Sequence, residues 1–118
     1  MIVTLKRAQI GKASGLDITV KSAPRWSRPF TPTWEMVLGH KNKTISDEEY
    51  TQRYHEILEQ VPKDTWRELW LLGQESGEVI LLCYCPDRER SGGIKFCHTR
   101  LLAAYAAERF PKAFKEEV

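Results

Sequence analysis

The apolar positions along this chain change period several times, and the changes divide it into elements. In "MIVTLKR" (1–7), Ile2, Val3 and Leu5 predict a short strand. After the turn "GKASG", Leu16, Ile18 and Val20 alternate with Asp17, Thr19 and Lys21. That two-residue period predicts a half-buried strand over 16–22. "APRWSRPFTP" then carries prolines at 24, 29 and 32. Each removes a backbone N–H and fixes φ, which excludes a regular helix or central strand and predicts a long, shaped loop. "TWEMVLG" predicts a short helix stopped at Gly39, and "HKNKT" a further turn.

From Ser46 the period becomes helical. "SDEE" sets a serine three residues before Glu49, a capping box with acids where the helix dipole favours them. Tyr50, Tyr54, Ile57, Leu58 and Val61 then fall on one stripe. Pro62 restarts the chain, and "KDTWRELWLLG" predicts a second helix with Trp66, Leu69 and Trp70 at i, i+3 and i+4. Gly73 and Gly77 bracket a turn. "EVILLCYC" (78–85) is the most apolar strand and is expected to be covered on both faces. "CHTRLLAAYAAERF" predicts an Ala/Leu-rich helix ended by Pro111. Strands with helices between and after them imply an α/β fold of two or three layers. The expectation is one small domain over 1–118, a mostly parallel sheet with helices packed on it and the 78–85 strand at its centre. A strand at 2–6 is expected at an exposed edge, which leaves monomer and homodimer both open.

Composition changes this picture little. At 118 residues, with 42% hydrophobic and 29% charged side chains, the chain fits one globular domain with a core of its own. No apolar run reaches the ~18 residues of a membrane span, and the amino terminus has no signal-peptide pattern. A cytoplasmic protein is expected, in the host cytoplasm if the source is viral, with no membrane partner. Three cysteines, an odd number, argue against a disulfide framework.

The net charge of +2 is modest, but its distribution is not even. Lys21, Arg25, Arg28, Lys41 and Lys43 fall with His40 in a stretch, 21–44, whose only acid is Glu35. Arg88, Arg90 and Lys95 follow the 78–85 strand. In open α/β sheets ligands bind beyond the carboxyl ends of the strands. The charge therefore points to a pocket for a small anionic or nucleotide ligand, lined by Lys21, Arg25, Arg28, His40, Arg88 and Arg90. Trp26 or Trp34 is available to stack on a base, a feature shared with nucleic-acid binders, the less favoured partner.

All three cysteines lie in "LLCYCPDRERSGGIKFCHTR" (81–100), and three readings stay open. Cys83, Cys85, Cys97 and His98, written C-x-C-x11-C-H, are a candidate zinc set, although structural zinc sites usually use C-x2-C knuckles. "CPDRERS" matches the length of a rhodanese or cysteine-phosphatase loop, in which a thiolate at a strand end faces an anion. Arg88, however, stands where such a loop needs glycine. On this reading Cys85 or Cys97 is the nucleophile, with His98 or His40 as acid/base partner. In the third reading Cys83 and Cys85 are small buried hydrophobes.

Two stretches together carry a family resemblance. "DITVKSAPRWSR" and, some sixty residues on, "VILLCYC…CHTRLLAAY" resemble the bacterial and phage proteins grouped as domain-of-unknown-function family 488. "PTWEMVLGHK" is similar to a segment of compact phage versions. The likeness covers roughly residues 16 to 106. Thr19 stands where the family has aspartate, Lys21 where it has arginine, and Thr99 at the arginine of Cys-His-Arg. Asp17 is the nearest substitute acid. The resemblance implies a site at Lys21, Ser22, Arg25, Arg28, His40, Cys85, Cys97 and His98. Of the three functions these residues suggest, a binder of a phosphorylated or nucleotide-type ligand comes first. In it Lys21, Arg25 and Arg28 hold phosphate and His98 donates a hydrogen bond. A cysteine-dependent enzyme and a structural-zinc module are the alternatives.

Overall fold

The computed structural model describes residues 2–11, 13–83 and 98–117. Four parallel strands form one sheet: β1 (Val3–Gln9), β2 (Leu16–Asp17), β3 (Glu78–Cys83) and β4 (Phe114–Glu116), in the order β2-β3-β1-β4. Leu5 lies opposite Val79, Arg7 opposite Leu81 and Gln9 opposite Cys83, while Leu16 pairs with Leu81. Helices α1 (Trp34–Lys41), α2 (Asp47–Glu59), α3 (Lys63–Leu72) and α4 (His98–Arg109) share one core with the alternate positions Val3, Leu5, Val79 and Leu81. The α/β fold with a parallel sheet is as expected.

The register explains which face is packed. Alternation puts Val3, Leu5, Val79 and Leu81 on one side of the sheet, and all four are buried. Thr4, Lys6, Glu78 and Ile80 on the other side are only half-buried, and Lys6 pairs there with Glu78 at 3.0 Å. The apolar run of β3 is therefore not covered on both faces in its first half. Among the described residues the molecule has two layers.

β1 is not an edge strand either. The chain returns after α4 as β4, which pairs with Val3–Leu5, while β3 lies on the other side. Three residues are too few to show a period, which hid β4 from the sequence.

Local chemistry accounts for the helices. Ser46 accepts the Glu49 N–H at 3.1 Å, and Asp47, Glu48 and Glu49 occupy the first turn of α2. Tyr50, Tyr54, Leu58 and Val61 are buried on the predicted stripe, with Ile57 partly so. Ser46→Ala is expected to cost about 1 kcal/mol. Thermal denaturation should show this as a fall of about 4 °C; an unchanged midpoint would mean that the cap contributes nothing. α1 does not stop at Gly39 but runs on to Lys41. A Cβ at Gly39 would lie 2.6 Å from Ile45 Cδ1, so a larger residue there would displace the Ile45 side chain. Gly77, with φ +81°, closes the turn into β3.

The proline-rich stretch is the larger departure. Arg25–Phe30 form a 3-10 helix with Pro29 inside it. At three residues per turn, positions i and i+3 eclipse. The sequence "RWSRPF" therefore makes three stripes: Arg25 with Arg28, Trp26 with Pro29, and Ser27 with Phe30. The last stripe is fully buried, and the Arg25, Trp26 and Arg28 positions are exposed. Phe30 packs edge-on against Trp66, with ring centroids 4.9 Å apart, and its carbonyl accepts the Tyr54 hydroxyl at 2.7 Å.

Candidate functional site

β2 ends after two residues, not seven, because a side chain captures the backbone. Asp17 Oδ1 accepts the Thr19 N–H at 2.8 Å and the Thr19 hydroxyl at 2.7 Å. Such a side-chain-closed turn competes with the sheet ladder. The Ser22 hydroxyl donates to Asp17 Oδ2, and the Ser22 N–H reaches Thr19 Oγ1 at 3.2 Å. The chain thus curls into a compact knot at the carboxyl end of β2. Burial works against an ionised Asp17, but the Ser22 and Thr19 hydrogen bonds outweigh it and hold the carboxyl below its ordinary range.

This knot seats the 3-10 helix. The buried Ser27 hydroxyl donates to the Asp17 carbonyl at 3.0 Å and also lies 3.2 Å from the Pro24 carbonyl. Arg25, Trp26 and Arg28 are thereby presented outward next to the end of β2. Trp26 is 37% exposed. Among the described residues neither Arg25 nor Arg28 makes an ion pair. Lys21 is exposed in the turn between Asp17 and the helix.

α4 begins against the same knot. His98 Nε2 lies 3.0 Å from the Ile18 carbonyl. A carbonyl only accepts, so Nε2 carries the proton. The ring is 8% exposed and meets Tyr54 edge-on at 5.8 Å. Burial lowers its pKa below the usual histidine value; Cys83, the Ile18 carbonyl and Asp17 oppose the shift, and Arg7 adds to it. His98 is thus a neutral anchor between α4 and the end of β2, with its Nε2 proton committed inside the fold.

Arg7 was not singled out by the sequence. Its Nε donates to the Thr99 hydroxyl at 3.3 Å, and its Nη2 approaches Cys83 Sγ at 3.2 Å. Thr99 and Cys83 are both fully buried. Thr99, where the resemblance leads one to expect arginine, instead receives a guanidinium from β1. A signal was available: Arg7 follows Val3 and Leu5 on the core-facing alternation, an unusual place for a cation. Leu5, Arg7, Thr99 and Arg100 also line a cleft of about 260 Å³ beside β4.

The structure brings together Ser22, Arg25, Trp26, Arg28 and His98 around the end of β2, with Lys21 in the same turn. It places other candidates elsewhere. Trp34, 50% exposed, shares the outward stripe of α1 with Leu38. His40 binds the Asp47 carboxylate and packs on Tyr50 at the joint between α1 and α2. Cys83 lies inside, its thiol 3.9 Å from the Ala8 carbonyl. Cys85, Arg88, Arg90 and Cys97 lie outside the described residues, so the thiol and zinc readings that need them do too. Among the described residues no three His, Cys, Asp or Glu side chains gather as metal ligands, and no helix is long and apolar enough to cross a membrane.

A sequence model described as the active DUF488-N3 subclade matches residues 6–110. The chain belongs to that family. No curated protein and no solved structure matches it.

Proposed function

We propose, starting from membership of the DUF488-N3 subclade, that the protein binds a nucleotide or other phosphorylated small molecule at the carboxyl end of β2. Lys21, Arg25 and Arg28 would hold the phosphate, and Trp26 would stack on the base. The observation that carries this reading is the seating of the 3-10 helix. The bond from the buried Ser27 hydroxyl to the Asp17 carbonyl seats a helix whose outward stripes are two arginines and a tryptophan. Open α/β sheets take ligands at this end of their strands, and guanidinium groups suit phosphate geometry. The role given to His98 is narrower than a ligand donor, since its Nε2 serves Ile18.

A thermal-shift screen of nucleoside mono-, di- and triphosphates tests the proposal. At a hundredfold excess over Kd, a bound ligand stabilises by about 2.7 kcal/mol. An Arg25→Ala/Arg28→Ala variant should keep the ligand-free midpoint and lose that response. If no nucleotide raises the midpoint, the proposal fails. Stabilisation only by single-stranded oligonucleotides, with a steep salt dependence, would point to nucleic acid instead. Incubating the stabilising nucleotide with the protein and assaying for product separates a binder from an enzyme.

A further inference from the structure

We infer that the ligand carries sugar hydroxyls as well as phosphate, a ribonucleotide, and that Asp17 accepts a hydrogen bond from them. The inference rests on the preceding reading and adds the substrate class. Its basis is a carboxylate on the residue whose backbone carbonyl seats the cationic helix. A site for phosphate alone would gain from removing Asp17, because the negative charge repels the ligand. The turn instead holds Asp17 in one orientation. Oδ1 has two lone pairs, and the Thr19 N–H and hydroxyl use both. Oδ2 accepts from Ser22 in an exposed setting and keeps a second lone pair. Among the described residues no lysine or arginine pairs with this carboxylate. Its depressed pKa agrees with a permanent acceptor.

Geometry supplies the second half of the argument. The Ser27–Asp17 bond joins the residue bearing the carboxylate to the helix bearing Arg25, Trp26 and Arg28. The turn bearing the acceptor and the helix bearing the cations and ring are therefore tied together. A bipolar ligand satisfies all three at once: phosphate on the arginines, base on Trp26, and hydroxyls on Asp17 Oδ2. A carboxylate that receives ribose hydroxyls beside a phosphate site is a recurrent solution in α/β proteins.

The test compares adenosine and guanosine 5′-monophosphates with their 2′,3′-dideoxy counterparts and with inorganic phosphate, by titration calorimetry. A hydrogen bond to a charged acceptor predicts that the ribonucleotides bind about tenfold or more tightly than the dideoxy forms. Asp17→Asn keeps an acceptor for the Thr19 N–H but turns a donor toward the ligand. It should abolish the preference, read as the ratio of ribo to dideoxy affinity within that variant. Equal affinity for ribo and dideoxy forms in the unaltered protein overturns this inference and leaves the nucleotide-binding proposal standing. A preference that survives in Asp17→Asn overturns the role of Asp17. Failure of every nucleotide and of inorganic phosphate to bind overturns both proposals. The comparison on the unaltered chain decides the ligand class even if Asp17→Asn does not fold.

Discussion

Trp66→Ala is expected to destabilise the protein by about 3–5 kcal/mol, the range for truncating a buried aromatic. Trp66, 6% exposed, is the point where four elements meet. Its ring lies 4.9 Å from Phe30 of the 3-10 helix and 5.9 Å from Tyr105 of α4, nearly parallel to the latter. It is also 5.2 Å from Phe110 and 6.1 Å from Phe114 of β4. No neighbour can fill an indole-sized void without leaving its own contacts, so the cavity term adds to the lost burial. Small domains are stable by only about 5–15 kcal/mol, so the loss is a large fraction of the total. Urea denaturation should show a much lower midpoint with little change in slope. Trp34→Ala, at a half-exposed position, is the control and should stay within about 0.5 kcal/mol. Equal effects of the two substitutions would refute the packing described above. Because Phe30 ends the 3-10 helix, the Trp66 variant should also weaken the nucleotide binding proposed above.

Stability is expected to fall as pH drops below about 6.5, the ordinary histidine value, on account of His98. Burial depresses its folded-state pKa. Between that depressed value and about 6.5, the unfolded chain binds more protons than the folded one. The stabilisation is complete above about pH 6.5 and is lost as pH falls, by up to about 1.4 kcal/mol per pH unit, levelling off at the folded value. Protonation would put a charge against the Tyr54 ring in a site closed to water. Asp17 acts in a separate window. Its folded pKa is also depressed, so its contribution is intact above about pH 3.9 and is lost only below it. Urea midpoints at pH 7.5, 6.0 and 5.0 for the unaltered chain and for His98→Gln check the prediction. Glutamine offers an N–H to Ile18 without titrating, so its profile should be flatter. Parallel profiles would remove His98 as the cause. The other two histidines are common to both proteins and cancel in the comparison.

Much of this fold was legible along the chain, and the parts that were share a property. The Ser46 capping box, the Tyr50–Tyr54–Leu58 stripe, the Trp66–Leu69 pair and the apolar β3 run each depend on residues within four positions of one another. So does the gathering of cations around Arg25 and Arg28. The 3-10 helix was missed because the prolines argued against regular helix, and three-residue periodicity in so short a piece is weak. The alternation of Leu16, Ile18 and Val20 predicts seven residues for β2, whereas the Asp17 carboxylate ends the strand after two.

Sequence by itself determined the four α-helices, the strands β1 and β3, the α/β class and a cationic connection after the second strand, because propensity, capping and hydrophobic period are local properties. Tertiary structure alone decided that β1 is interior, that β4 exists, and that only one face of the sheet is packed along the first half of β3. It also decided that Arg7 meets a hydroxyl 92 residues away and that Ser27 locks the basic helix onto Asp17. These outcomes depend on which strands lie side by side and on which buried donors find acceptors, both settled by closing long loops around one core. No pattern of near neighbours encodes that closure.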